Sequence, residues 1–288
     1  MLCLDTFTAR LVSIVLLVAL SACVSGREKL AGTGVNVTPT AAVKVLSSTP
    51  LAEVHDITSG SDTVRVLVES SSSPSAIAIL FAGGKGATGI TNDGHITKLR
   101  GNFLVRSRYN FWPRSIMTVV FDSPSGVTED LRPIHASQSF ADDVGAVIGH
   151  LRKTFNLPVW VVGTSRGTVA VANAASRLDQ NAPDGVVFTS SLFDGNRTAS
   201  VFDLPLEKVR IPSLIVHHKQ DGCGYTSPVR VPQFKSRLSN AKPLKVMWFD
   251  GGISRGNPCQ GAGYHGFKSI EDSVVRNIAN WIKNPTSD

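Results

Sequence analysis

The sequence predicts an α/β fold, a mostly parallel central sheet with helices on both faces. Three observations carry this. Short apolar runs alternate with longer helix-like stretches through most of the chain. The run Val159-Trp160-Val161-Val162 is wholly β-branched or aromatic, the composition of a strand buried on both faces. No internal repeat or long low-complexity segment competes with that alternation.

The elements follow in order along the 288 residues. Leu11 to Leu20 is apolar but too short for a membrane span, which needs roughly 20 residues. It runs into Leu20-Ser21-Ala22-Cys23, which resembles the bacterial lipobox, where cleavage precedes a cysteine that is then lipidated. The resemblance implies a lipoprotein-type signal peptide over 1–22 and lipidation at Cys23. The protein is then expected in the bacterial cell envelope, lipid-anchored to a membrane and facing the periplasm or exterior. A plain secretory signal is the alternative. Residues 23–50, rich in Ser, Thr, Gly, Val and Ala without periodicity, read as a tether or loosely docked arm. Residues 51–288 are enough for one α/β domain with a substantial core.

Within that domain, strands are expected at Val64–Val68, Ala76–Phe81, Ser115–Phe121, Val159–Val162, Gly185–Thr189, Ser213–His217 and Leu244–Phe249. Helices are expected at Asn102–Phe111, Ser137–Phe155, Thr168–Leu178, Pro232–Leu238 and Ile270–Ile282. In the second helix Phe140, Val144, Val147, Ile148 and Leu151 make one apolar face. Pro158 limits that helix, because a proline disfavours helical geometry at the preceding Leu157. The stretch between Thr189 and Ser213 is too short for a large lid, which predicts an open or shallow site.

Gly163-Thr164-Ser165-Arg166-Gly167 sits between a predicted strand and a predicted helix. A serine between two glycines at such a junction fits the nucleophile elbow G-x-S-x-G. The serine takes a strained backbone conformation that lifts its hydroxyl off the sheet, and larger residues at either glycine collide with the adjoining strand or helix. A serine hydroxyl is a weak nucleophile at neutral pH, so it needs a base, and the base needs an orienting carboxylate. Of seven histidines, His265 lies in a loop between the last strand and the last helix, placed to swing over the carboxyl edge of the sheet. His217 and His218 end a strand and are expected to line or support the site. Asp221 follows Leu214-Ile215-Val216-His217 by a short turn and is the favoured acid, with Asp194 and Asp250 as runners-up.

Cys3 falls in the removed segment and Cys23 at the lipid site, so Cys223 and Cys259 remain of four cysteines. They are expected to pair, tying the Asp221 loop to the His265 loop. A developing oxyanion needs two backbone N–H donors. One is expected from Arg166, directly after the serine. The other is expected from Ala82-Gly83-Gly84-Lys85-Gly86, at Gly84 or Lys85. That loop lacks the G-K-[ST] ending of a phosphate-binding loop.

On these residues, and in the order Ser165, Asp221, His265, the chain resembles the α/β-hydrolase superfamily over roughly 64–282, most closely secreted bacterial members without a large cap. The resemblance implies an eight-stranded type of sheet and hydrolysis of an ester, thioester or amide through an acyl-enzyme, with a small-molecule or lipid-like acyl substrate. It departs from the lipase pattern in having Ala82 where a histidine often precedes the glycines. The expected chemistry requires no cofactor and no metal. A non-catalytic envelope lipoprotein on the same scaffold, or an acyltransferase, are the competing classes. The net charge of +7 is scattered, without a dense basic run or interleaved aromatics, which argues against nucleic acid as a partner.

Overall fold

A computed structural model of the protein describes residues 51–71, 73–127 and 129–287. The expected signal peptide over 1–22, the lipidation site Cys23 and the arm over 23–50 lie outside the described residues.

Among the described residues eight strands form one sheet: β1 (Leu51–Ser59), β2 (Asp62–Ser70), β3 (Ala76–Phe81), β4 (Ile116–Pro124), β5 (Val159–Thr164), β6 (Gly185–Thr189), β7 (Ser213–His218) and β8 (Leu244–Phe249). Their order is β1-β2-β4-β3-β5-β6-β7-β8. The β1–β2 and β2–β4 pairs are antiparallel, and every pair from β4 to β8 is parallel. Among the described residues five α-helices cover the sheet: α1 (Phe103–Ser107), α2 (Gln138–Phe155), α3 (Gly167–Arg177), α4 (Val231–Arg237) and α5 (Glu271–Lys283).

Alternation along the central strands sorts side chains between two cores. Ile77 and Ile79 of β3 and Val161 of β5 pack with residues of α2, α3 and α4. Their neighbours Ala78, Leu80 and Val162 pack with residues of α1 and α5 on the opposite face. The α2 face foreseen in the sequence is wholly buried, and each such side chain stabilises the fold by about 1.5–3 kcal/mol. Ser137 caps that helix by accepting the Phe140 N–H at 3.1 Å. Asn156 ends it in the left-handed conformation at φ 53°, ahead of Pro158.

Two elements differ from expectation. The first strand, β1, carries little apolar signal because it is an edge strand, where only Ile57 is buried. The helix expected over Asn102–Phe111 is α-helical only to Ser107 and continues as a 3-10 turn over Arg108–Arg114 that contains Pro113, which has no N–H to donate. As expected, the stretch between β6 and β7 holds only two short 3-10 turns, Val201–Asp203 and Leu206–Lys208, and no lid domain.

The order of connections places the site. From β3 the chain passes through α1 to β4 on one side, then through α2 back to β5 on the other. This reversal opens a crevice at the carboxyl ends of β3 and β5, where open parallel sheets bind their ligands.

Candidate active site

Ser165 stands at the β5–α3 junction with φ +53°, a left-handed conformation that few non-glycine residues adopt. Both flanking glycines are required on steric grounds. A Cβ on Gly163 would lie 2.4 Å from the Gly167 carbonyl oxygen, and one on Gly167 would lie 2.2 Å from that of Phe81. The turn is held further by the Ser165 N–H, which donates to the Thr189 carbonyl at 3.0 Å. The elbow read from the sequence is therefore present as backbone geometry.

Asp221 and His265 meet. The His265 Nδ1–H donates to Asp221 Oδ2 at 2.9 Å, with both residues buried. The same carboxylate accepts the Thr226 hydroxyl on Oδ2 at 2.9 Å and the Cys223 N–H on Oδ1 at 3.0 Å. Burial alone would raise the Asp221 pKa, but the hydrogen bond from His265, its charge and the Cys223 N–H outweigh it and hold the carboxyl below its ordinary value. The runners-up are placed elsewhere. Asp194 is exposed and accepts the Asn196 N–H, and Asp250 is exposed and pairs with Lys219 at 2.8 Å.

Three attachments fix the histidine loop. Ser190 Oγ donates to the His265 carbonyl at 2.9 Å. Tyr264 stacks on the His218 ring at 4.5 Å between centroids, and the His218 Nε2–H donates to the Gly251 carbonyl at 2.9 Å. The Cys223–Cys259 disulfide is formed and joins the aspartate turn to the segment ahead of His265. It closes a loop of 36 residues in sequence separation, which in the chain-entropy account stabilises the fold by about 4 kcal/mol.

Ser165, His265, Gly83, Gly84 and Cys259 line one cleft of about 410 Å³. Among the described residues no hydrogen bond joins Ser165 Oγ to His265; such bonds are often loose without substrate and tighten in the complex. Gly84 faces the cleft with φ +65°, while Lys85 is not among the lining residues and turns its carbonyl to the Leu131 N–H. The Arg166 N–H has no protein acceptor among the described residues, as befits the residue before a helix. Its guanidinium points away and binds the Gly195 carbonyl and the Thr198 hydroxyl.

One side chain ties together two stretches that line the cleft. Arg106 donates through Nη1 to the Gly101 carbonyl at 2.6 Å and through Nη2 to the Gly266 carbonyl at 2.6 Å. Its Nε–H pairs with Glu271 at 3.0 Å. Sequence reasoning missed Arg106 and Ser190, whose bonds to Gly266 and His265 span sequence distances that no local pattern encodes, and Thr226, whose turn gives no sign that its hydroxyl reaches Asp221.

His217 supports rather than lines the cleft. Its Nε2–H donates to the Thr226 carbonyl at 2.8 Å and lies 3.7 Å from Asp221 Oδ2. Burial pushes its pKa down to about 4, and burial together with the Arg166 charge does the same to His135. Both imidazoles are neutral when folded and titrate near 6.5 when unfolded. The unfolded chain therefore binds more protons between pH 6.5 and 4, and stability falls as pH drops through that window. Unfolding free energies from urea titrations between pH 7 and 4 should decline, with a limiting slope of about 1.4 kcal/mol per pH unit for each histidine. A flat profile down to pH 5 contradicts this account.

No family model and no curated protein matches the sequence. Solved structures do. The chain is similar to an esterase of Pyrococcus furiosus at 12% identity and TM-score 0.57, covering 86% of this chain and 98% of that one. It is similar to Est1E of Butyrivibrio proteoclasticus, whose structure has ferulic acid bound, at 15% identity and TM-score 0.56, covering 80% and 98%. It is also similar to an α/β serine hydrolase without a lid from Xanthomonas campestris, at 16% identity and TM-score 0.53, covering 85% and 99%. Sheet order, crossover pattern and these likenesses agree, and the chain has the α/β-hydrolase fold.

Proposed function

We propose that the protein is a serine hydrolase that cleaves a carboxylic ester, or a thioester or amide, through an acyl-enzyme. The observation that carries this reading is the buried 2.9 Å bond from His265 Nδ1 to Asp221, at the rim of the cleft onto which Ser165 opens.

That bond fixes the imidazole with its proton on Nδ1, leaving Nε2 free to accept. His265 Nε2 takes the proton of the Ser165 hydroxyl as Oγ attacks the acyl carbon. The carbonyl π electrons move onto oxygen, where the N–H groups of Arg166 and Gly84 receive the negative charge. When the intermediate collapses, the alcohol leaves with the proton that His265 carried. Water then attacks the acyl-enzyme, with the same nitrogen taking its proton and returning it to Ser165 Oγ. The acid product departs, and the site is restored. Asp221 stays ionised throughout and stabilises the imidazolium, in keeping with its lowered pKa.

The Cys223–Cys259 bond also supports the oxidising, extracytoplasmic setting proposed from Leu20-Ser21-Ala22-Cys23, since such bonds persist in the bacterial envelope.

A fluorophosphonate probe tests the reading, because only an activated serine is phosphonylated. The expected result is stoichiometric labelling, with the modified peptide containing Ser165. An unlabelled protein that is folded refutes the enzyme and favours a binding protein on this scaffold. Product analysis with an added alcohol separates hydrolysis from acyl transfer.

A further inference from the structure

Asn102 lines the same cleft and precedes the first turn of α1. Its backbone is fixed from both sides. The Asn102 N–H donates to the Leu99 carbonyl at 2.8 Å, and the Asn102 carbonyl accepts the Arg106 N–H at 3.0 Å. Its side chain is fixed too, because Oδ1 caps the helix by accepting the Leu104 N–H at 3.1 Å.

The cap has a consequence for the rest of the amide. A backbone N–H can be answered only by the oxygen, so the orientation of the group follows from chemistry. Nδ2 must then face away from the helix, and it donates to no acceptor among the described residues. It lies beside Ser165. A methyl built on Gly83 would lie 2.9 Å from Ser165 Cβ and 3.4 Å from Asn102 Nδ2, so the serine and the amide flank the same glycine. A rigid, uncommitted donor is thus aimed into the cleft beside the elbow. That is the arrangement electrostatic catalysis exploits, since a donor already in place needs no reorganisation when charge develops.

We propose that Asn102 is a further catalytic residue, whose Nδ2–H donates a hydrogen bond to the substrate's acyl oxygen as it becomes an oxyanion, beside the N–H groups of Arg166 and Gly84. This rests on the serine-hydrolase reading and adds a side-chain donor to it. No proton is transferred and no bond to Asn102 forms. The amide is neutral, so its contribution is to the charged intermediate more than to the bound ester, and it acts on kcat rather than KM.

The two roles of Asn102 can be separated, because serine and aspartate cap helices about as well as asparagine, but neither presents an amide donor. Asn102→Ser and Asn102→Asp should keep the melting temperature of the wild type and lose about 10²–10³ in kcat on an aryl ester, with KM little changed. Fluorophosphonate labelling of Ser165 should slow in parallel, since the phosphonyl oxygen occupies the same position. Asn102→Ala, which removes cap and donor together, should lose both stability and kcat. Cap-preserving variants that retain the wild-type kcat and labelling rate, with damage confined to Asn102→Ala, overturn the inference and leave the hydrolase reading standing. A wild-type protein that neither labels nor turns over substrate takes down both.

Discussion

Replacing Ser165 by alanine is expected to lower ester turnover by about 10⁶-fold, down to what binding and oxyanion stabilisation alone supply. The loss is large because the three groups act as a unit. Without Oγ, His265 has no alcohol to deprotonate and no acyl-enzyme can form. The fold should hardly register the change. Alanine is smaller than serine and meets the same left-handed backbone at φ +53°, and no structural hydrogen bond of the Ser165 hydroxyl is lost among the described residues. Initial rates on a short-chain aryl ester, read beside the thermal midpoint, check this. Equal rates for the two proteins end the proposed mechanism.

The second large effect is expected at the carboxylate. Asp221→Asn should reduce kcat by about 10⁴-fold while leaving KM nearly unchanged. The reason lies in how many acceptors the site demands. Oδ2 accepts from His265 Nδ1 and from the Thr226 hydroxyl, and Oδ1 accepts from the Cys223 N–H. An asparagine has one oxygen for these two positions. With that oxygen kept toward Cys223, its NH2 faces His265 and selects the tautomer protonated on Nε2, which cannot take a proton from Ser165. With the oxygen turned toward His265, the NH2 opposes the buried Cys223 N–H at a cost of about 1–3 kcal/mol. Steady-state kinetics of the variant decide the point. Activity retained in Asp221→Asn and lost in Asp194→Asn or Asp250→Asn would reassign the acid.

Much of the architecture was legible because the central strands are apolar on both faces. Val159-Trp160-Val161-Val162 announces β5 without help from its neighbours, and the stripe from Phe140 to Leu151 announces α2. The strand β1 escaped notice for the opposite reason, since an edge position leaves Leu-Ala-Glu-Val-His-Asp half in solvent. The site divided in the same way. Ser165 could be found because its two glycines are a local steric requirement. Chain order then led to Asp221 and His265, which the fold brings into contact across 44 residues. Thr226 gives no such signal, for a threonine in a turn looks the same whether or not it reaches a carboxylate. Asn102 sat at the start of an expected helix, but only the fold reveals that the other half of its amide lies against the same glycine as Ser165. Lys85 and Gly84 were equal choices from composition, and the curve of the chain after β3 leaves only Gly84 in the cleft.

The guanidinium of Arg106 grips backbone from two distant stretches of the chain at once. It works as a clasp between two neighbouring stretches that both line the cleft, one ahead of α1 and one ahead of α5. Neither stretch can shift without giving up a hydrogen bond to the same side chain, so a displacement of one is passed to the other.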